Sequence, residues 1–539
     1  MSVPSLRAPT EHGQILAVPG LDQVGDLLAR NRRIISDNAS TDQGKMFAED
    51  RLFARRLVHT LSTKYHHESN EPTADDWPEA PQPLSPDERA KPWFVAGHQP
   101  ELFHPGVWFK NFVLHHLARI HGAVVLNLII DTDMVKPAVL HVPDGDKIRR
   151  VPIDRISPAS DYEECTVQDE QLFGSVPERV AEIADSWGFK PLLDEYWQEV
   201  LKAAKRTHLL GERFGAARRA LERRWGIMPR EAPMSRVCQT PIFFTFLARI
   251  LRGLDQLHGV YNEIVQDYRR THGIRSRSHP VPDLARDGQW LETPFWAWRQ
   301  GQTRRGKLFV RTTKDRWTLR IDRDNDCTWD ADGVPDLIGH CSRGLRIRPR
   351  ALTTTMFARL FLSDLFIHGI GGGIYDELTD RIIERFWGIE APSYLIMSAT
   401  LQLPLPRFPD AASRARTLGR RLRELQYQPE RFVPRTNEVE SLLNAKEDWI
   451  ARDGVTHAER VQRFEQIRAI NAQLQPHVAP ELERTRAALV QCHREVGCED
   501  VAARRDFPFC LYPETMLREF FMHNPQESLR SSWGLGGSS

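Results

Sequence analysis

Apolar residues along the chain alternate between helical and strand periods. Leu21, Val24, Leu27 and Leu28 recur at helical spacing, as do Phe47, Leu52, Phe53, Leu57 and Leu61; residues 1–66 therefore read as an N-terminal helical segment. Pro72, Pro78, Pro81, Pro83 and Pro86, set among acidic residues, end that pattern and predict an extended linker over 67–92. Trp93-Phe94-Val95-Ala96 then forms a short strand pattern ending at Gly97. A loop from His98 to Gly106 leads into an amphipathic helix that starts near Val107 and carries Phe109, Phe112, Val113, Leu117 and Ile120. A second apolar strand, 123–130, ends in Asp131-Thr132-Asp133. Strand, loop, helix, strand is a βαβ unit with parallel strands. Its loops lie at carboxyl strand ends, where open α/β sheets bind ligands.

The pattern is mixed from 141 to 344. Helices are expected over 176–224 and 239–271. Trp290, Phe295, Trp296, Trp298, Leu308, Val310, Trp317 and Leu319 mark a strand cluster over 289–322, so this stretch reads as an inserted subdomain with a small antiparallel sheet. The α/β character returns over 345–409, after a first part at 93–140. A helix is expected at 352–366, a glycine loop at 369–373, a helix at 375–387 and a strand at 394–397. Residues 410–498 read as charged helices. Val461, Phe464, Ile467, Ile470 and Leu474 form a narrow stripe there, which suggests a coiled-coil-like pair or a dimer contact. Pro476 and Pro480 are expected to break or kink that helix. Residues 499–530 are expected to pack back on the core, and the Gly/Ser-rich end, 531–539, to be disordered.

With 41% hydrophobic and 27% charged residues, the 539-residue chain is not a disordered or fibrous polymer. Lys and Arg number 73 against 72 Asp and Glu, a net charge of +1, so no bulk field recruits nucleic acid or anionic lipid. The seven cysteines are scattered with no CxxC pair; neither a disulfide framework nor structural zinc is expected. No basic region followed by an apolar run opens the sequence. The longest apolar stretch, 123–130, is interrupted by Asn127 and falls short of the roughly 20 residues of a membrane span. A cytoplasmic protein acting on a small molecule is expected, with neither nucleic acid nor membrane as partner.

Three segments carry candidate chemistry. In the first loop, Gly97 and Gly106 allow close backbone approach, Gln99 lies between them, and His98, His104 and Lys110 are potential donors to phosphate or carboxylate oxygens beside a helix N-terminus. His104-Pro105-Gly106-Val107 resembles the HxGH turn of class I nucleotidyltransferases, with Val107 in place of the second histidine. Asp131 and Asp133, two apart, would face the same way on a continuing strand and hold magnesium or an amine; an Asx turn or helix cap is the alternative. The glycines Gly371, Gly372 and Gly373 open a helix beginning Tyr375-Asp376-Glu377, and either admit a ligand or let helices cross closely. Arg346, Arg348 and Arg350 precede them as a carboxylate clamp or a solvated basic face. Glu292-Thr293-Pro294-Phe295-Trp296 reads as core packing.

These segments together resemble the bacillithiol-biosynthesis cysteine-adding (BshC) family. Gly97-His98-Gln99 with Leu102-Phe103 is similar to its GQQ-x-G-L-F loop, and Asp131-Thr132-Asp133 to its acidic strand end. Arg348-Pro349-Arg350, the glycine loop and the strand 394–397 are similar to its R-P segment, GGPGE loop and following strand. Leu511-Tyr512-Pro513 with Leu517-Arg518-Glu519 resembles its ending. The resemblance implies an α/β fold with a Rossmann-like parallel-sheet core, an inserted α+β subdomain, a C-terminal coiled-coil-like region and a homodimer through it. It also implies a ligase that uses ATP or ADP with magnesium to join cysteine, or another amino acid, to an amino-sugar such as glucosaminyl-malate. His98, His104, Lys110, Asp131 and Asp133 would be catalytic, and Gly97, Gln99, Gly106, Gly371, Gly372 and Gly373 would bind nucleotide. Arg348, Tyr375, Asp376 and Glu377 would border the acceptor, and Asp131 and Asp133 would hold magnesium. Two other readings stand: a catalytically degenerate dimeric scaffold, and a nucleotidyl or aminoacyl transferase acting on a sugar, since Gln99-Pro100 with Pro105 is similar to WbqC-like proteins.

Overall fold

The computed structural model describes residues 6–68, 89–155, 160–228, 230–302, 304–314, 316–322 and 324–522. Most of the expected linker at 67–92 and the whole tail at 531–539 lie outside the described residues. The fold is mixed α/β, with parallel strands and one long C-terminal helix.

Its main sheet has six strands, in the spatial order Ile15–Val18, Tyr394–Ala399, Leu365–His368, Trp93–His98, Val124–Ile129 and Arg230–Pro233. The first pairs antiparallel and the rest pair in parallel. Alternate side chains enter separate cores. Phe94, Ala96, Leu365 and Ile367 pack with the helix Pro105–His121 and with Phe507 to Phe521. Trp93, Val95, Leu126, Leu128 and Phe366 pack on the other face with the helices Pro241–Arg252 and Leu254–Thr271. Near-continuous apolar strands of this kind belong to sheets covered on both faces.

A second, antiparallel sheet is built from Trp290–Arg299, Gly306–Thr313, Arg316–Ile321, Asp324–Ala331 and Leu345–Pro349. Several boundaries therefore differ from those expected. Leu345–Pro349 is an edge of this sheet rather than the reopening of the core. Arg230–Pro233, inside the expected insertion, is an edge of the main sheet. Its Glu231 is buried because Asn127, at 2.7 Å, and Arg219, at 2.8 Å, donate to the carboxylate, together with Arg218. The helix expected at 352–366 ends by Leu362, and Leu365–His368 becomes a strand. Asp364 fixes that turn: its carboxylate accepts from Arg51 at 3.0 Å, Arg55 at 2.8 Å and the Trp93 N–H at 2.7 Å. The N-terminal helices, Val24–Asn38 and Asp42–Glu68, follow the short strand Ile15–Val18, which the helical reading of 1–66 did not contain.

The helix His457–Ala502 runs unbroken through Pro476 and Pro480. At about 1.5 Å per residue it is about 69 Å long. Both prolines sit on its exposed side, so the carbonyls that lose a backbone donor face water and the ladder closes around them. Its inner stripe is covered from within the chain: Ile470 and Leu474 pack with Val439, and Val478 and Leu482 with Leu425. Val461 and Phe464 remain outside, 42% and 65% exposed.

The Pro105–His121 helix lies unusually close to the Tyr394–Ala399 strand. A Cβ at Gly106 would fall 1.9 Å from the Ala399 carbonyl oxygen. Overpacking of this kind costs about 1–3 kcal/mol. Gly106→Ala is therefore expected to lower the melting temperature, read by calorimetry, whereas Gly371→Ala, whose Cβ meets nothing within 4 Å, leaves it nearly unchanged.

Candidate functional site

The Trp93–His98 strand is the point where the chain reverses direction across the sheet. Successive strands 93–98, 124–129 and 230–233 run to one side, while 365–368 and 394–399 run to the other. The loops leaving Trp93–His98 and Leu365–His368 diverge, and such a reversal opens a crevice at the carboxyl ends. Here it is a cleft of about 600 Å³. Gly97, His98, Gln99, Gly106, Lys110, Asp133, Gly371 and Gly372 line it, drawn from three separated segments.

Two helices begin at the cleft. Gly369 is the N-cap of Ile370–Ile382, with no side-chain cap. The expected glycine loop is therefore the first turn of a helix, whose N–H groups have no intrahelical acceptor. Gly371 leaves the surface open, while Gly373 is needed for packing: its Cβ would fall 2.5 Å from the Ile396 side chain. The other helix is Pro105–His121, and Lys110 lies on it, 5% exposed. A Cβ on Gly369 would sit 3.8 Å from Lys110 Nζ, so the ammonium points at the start of the neighbouring helix. Among the described residues Lys110 has neither a hydrogen bond nor an ion pair. Burial pulls it down to about 8. Arg350, Arg305 and Arg505 complete a basic lining. Arg350 pairs with Glu292 at 2.8 Å and lies over the Trp296 ring. Arg305 donates to the Thr132 carbonyl at 3.0 Å, and Arg505 to Ser398 Oγ at 3.1 Å.

Both expected histidine donors are otherwise committed. His104 Nδ1 accepts from the Gly106 N–H at 3.0 Å as the helix cap, and Nε2 donates to the Leu401 carbonyl at 2.9 Å. Burial lowers it to about 4, so it is a neutral brace for the turn and does not line the cleft. His98 donates from Nδ1 to the Gln99 carbonyl at 3.1 Å. Burial, reinforced by Lys110, lowers it to about 3, so in the cleft it offers a lone pair rather than a proton.

The two aspartates also separate, because the strand ends at Ile129. Asp133 accepts from Gln99 Nε2 at 2.8 Å on the cleft side. Asp131 accepts from the Ser235 N–H at 2.8 Å, and from its hydroxyl, in a second cavity of about 1020 Å³. Burial, with Glu163 beside it, pushes Asp131 up to about 7. The two carboxylates thus have different partners and line different cavities, and among the described residues no group of three or more His, Cys, Asp or Glu is placed to hold an ion.

The expected acceptor residues are dispersed. Arg348 forms a two-pronged pair with Glu163 at 2.8 and 2.7 Å. Tyr375 meets His279 Nε2 at 3.0 Å, away from the cleft. Glu377 does not line it. Asp376 is buried behind it, bonded to Arg359, His368 and Thr355. His368, Arg305, Ser398 and Arg505 were not anticipated. The one sequence cue was His368 itself, directly before the glycines at the end of a short apolar run.

A buried ammonium with no counterion among the described residues destabilises the fold. With its pKa near 8 in the folded chain against 10.5 unfolded, the unfolded chain binds the extra proton between those values. The penalty, about 3 kcal/mol, is therefore complete below pH 8 and fades as pH rises toward 10.5. Lys110→Met is expected to raise unfolding stability at pH 7 by that order in urea titrations, with the gain shrinking above pH 8.

No family model matches this chain, and no curated protein matches it either.

Proposed function

We propose that the chain is a nucleotide-dependent carbon–nitrogen ligase of the BshC-like kind, with the phosphates of ATP or ADP seated in the cleft at the strand reversal. The observation that carries this reading is Lys110: a buried ammonium with no counterion among the described residues, aimed at an uncapped helix start. An anion bound against such a group would offset the cost of its burial. Arg505 adds positive charge at the same space, while Arg350 is paired there with Glu292 and Arg305 with Asp161 and Asp133, and glycine at 371 leaves the backbone open to approach.

In this reading a Rossmann-like core supplies the phosphate site. Magnesium enters bound to phosphate oxygens, where it would neutralise charge, and not through an Asp131–Asp133 pair. Asp131, Glu163, Glu164 and Glu212 line the neighbouring cavity together with Lys64, Arg236 and Arg346, a mixed-charge surface suited to an acceptor that carries both an amine and carboxylates. The amino acid would be cysteine or another, and the acceptor an amino-sugar such as glucosaminyl-malate. A cytoplasmic location and a homodimer through the C-terminal helices belong to the same reading. No helix among the described residues is long and apolar enough to cross a membrane.

The degenerate-scaffold reading draws on one observation: Ile450, Val455, Val461 and Phe464 are exposed at the outer end of the helical arm. A nucleotide response decides between the two. ATP at 100 times its dissociation constant adds about 2.7 kcal/mol to the domain that holds it. ATP is expected to raise the melting temperature of the native chain and to leave that of Lys110→Met unchanged. A native chain whose melting no nucleotide moves would favour the scaffold.

A further inference from the structure

His368 is a second buried group in the cleft that the ligase reading leaves without a role. It ends the Leu365–His368 strand, 5% exposed, and its Nε2 lies 2.8 Å from Asp376 Oδ2. That carboxylate is held on every side. Arg359 donates to Oδ2 at 2.7 Å, and Thr355 donates to Oδ1 at 2.6 Å. Arg359 is anchored in turn on Asp380 and on the Pro392 carbonyl.

A carboxylate in this position keeps the imidazole proton on Nε2 and leaves the lone pair on Nδ1. Nδ1 has no hydrogen-bond partner among the described residues. It faces Gly372, where a Cβ would come within 2.8 Å of it, and Gly372 lines the cleft. Thus Gly372 is glycine because the imidazole edge occupies the space a side chain would need. Phe366 and Tyr394 pack on the ring, at centroid distances of 4.5 and 4.9 Å. The charged groups around it are Asp376, Arg359 and Lys110. Burial lowers the His368 pKa, Asp376 opposes that shift, and Arg359 and Lys110 add to it. The ring is therefore unprotonated at neutral pH and free to take a proton.

We propose that His368 is the proton acceptor of this cleft, with Asp376 as its positioning residue, for a ligand that presents an amine to a phosphate-activated acyl group. The assignment rests on the ligase reading above. In the step, the amine nitrogen uses its electron pair to form a bond to the acyl carbon. The phosphate-bearing leaving group departs with the pair from the broken carbon–oxygen bond. The proton lost by nitrogen goes to His368 Nδ1, where Asp376 stabilises the imidazolium.

Diethyl pyrocarbonate acylates unprotonated imidazole nitrogen, so it probes Nδ1 without knowledge of the substrate. The full chain is treated with it and the sites are read by peptide mass spectrometry. His368 is expected to react with a half-maximal pH below that of free histidine, and saturating ATP is expected to slow the reaction at least tenfold. Asp376→Asn keeps an oxygen against Nε2, since Arg359 can only donate to the same atom, but removes the negative charge that makes Nδ1 nucleophilic, and should slow the reaction severalfold without ATP. Should that variant not fold, the pH profile and the ATP protection in the native chain carry the test. An unmodified His368 in a chain whose exposed His477 is fully modified would overturn the assignment. So would a rate that ATP leaves unchanged while ATP raises the melting temperature. If ATP moves neither quantity the ligase reading fails, and the pH profile and Asp376→Asn then decide whether the pair itself exists as described. His368→Gln should keep the ATP-induced rise in melting temperature, because this residue is assigned to proton transfer and not to phosphate binding.

Discussion

Parallel hydrogen bonding on both edges of the Trp93–His98 strand is the constraint on which the molecule is organised. Pairing with Val124–Ile129 on one side and Leu365–His368 on the other forces connections to leave its carboxyl end in opposite directions. The crossover helix Pro105–His121 starts at that divergence, and so does Ile370–Ile382. The uncapped first turn of Ile370–Ile382 is thereby brought beside the His104-capped start of Pro105–His121 without any dedicated binding loop. Gly106 lets the first helix close on the sheet, and the cleft inherits its shape from that approach.

Three buried charges outside the cleft lining are each paired with opposite charge, and Lys110 contrasts with them. Asp364 meets two arginines and a backbone donor, Glu231 meets two arginines and an asparagine, and Arg359 meets two aspartates and a carbonyl. Each of these ties together segments far apart in sequence, and removing one partner would strand the other in low dielectric. Lys110 alone in this group lacks such a partner among the described residues.

How much could be read in advance follows from how local each signal is. The Trp93 strand, its helix and the strand at 124–129 were legible because a bounded apolar run, a helical stripe and a second run lie consecutively. The strand Leu365–His368 was not, since its four residues continue the apolar pattern of Leu352 to Leu362 and only the buried Asp364 separates them. Arg230–Pro233 looks unlike a strand because its Arg and Glu are polar; Glu231 is neutralised by side chains on a helix that periodicity cannot place beside it. The same limit applies at the site. Gly97, Gln99, Gly106 and Lys110 are close in sequence and were found together. His368, Arg305 and Arg505 come from three distant segments. His98 and His104 were read as donors because a sequence lists imidazoles but not what each nitrogen already holds. Asp131 and Asp133 parted because the strand that would have aligned them stops first.

The long helix His457–Ala502 sets a different kind of dependence. Its inner end joins the main core through Val501; between there and its two small apolar clusters, ion pairs hold it, among them Arg421–Glu481 at 2.7 Å, Arg407–Glu499 at 3.0 Å and Arg414–Glu495, with Gln475 and Asn471 bonded to backbone carbonyls. Exposed pairs weaken as ionic strength rises, whereas buried apolar contact does not. The arm and the sheet domain thus respond to different solvent properties: salt loosens the rod along its length while the cores on either side of the sheet keep their packing. Three residues beyond the end of this helix Arg505 reaches Ser398 at the cleft, so the rod's inner end is anchored beside the carboxyl ends of the sheet.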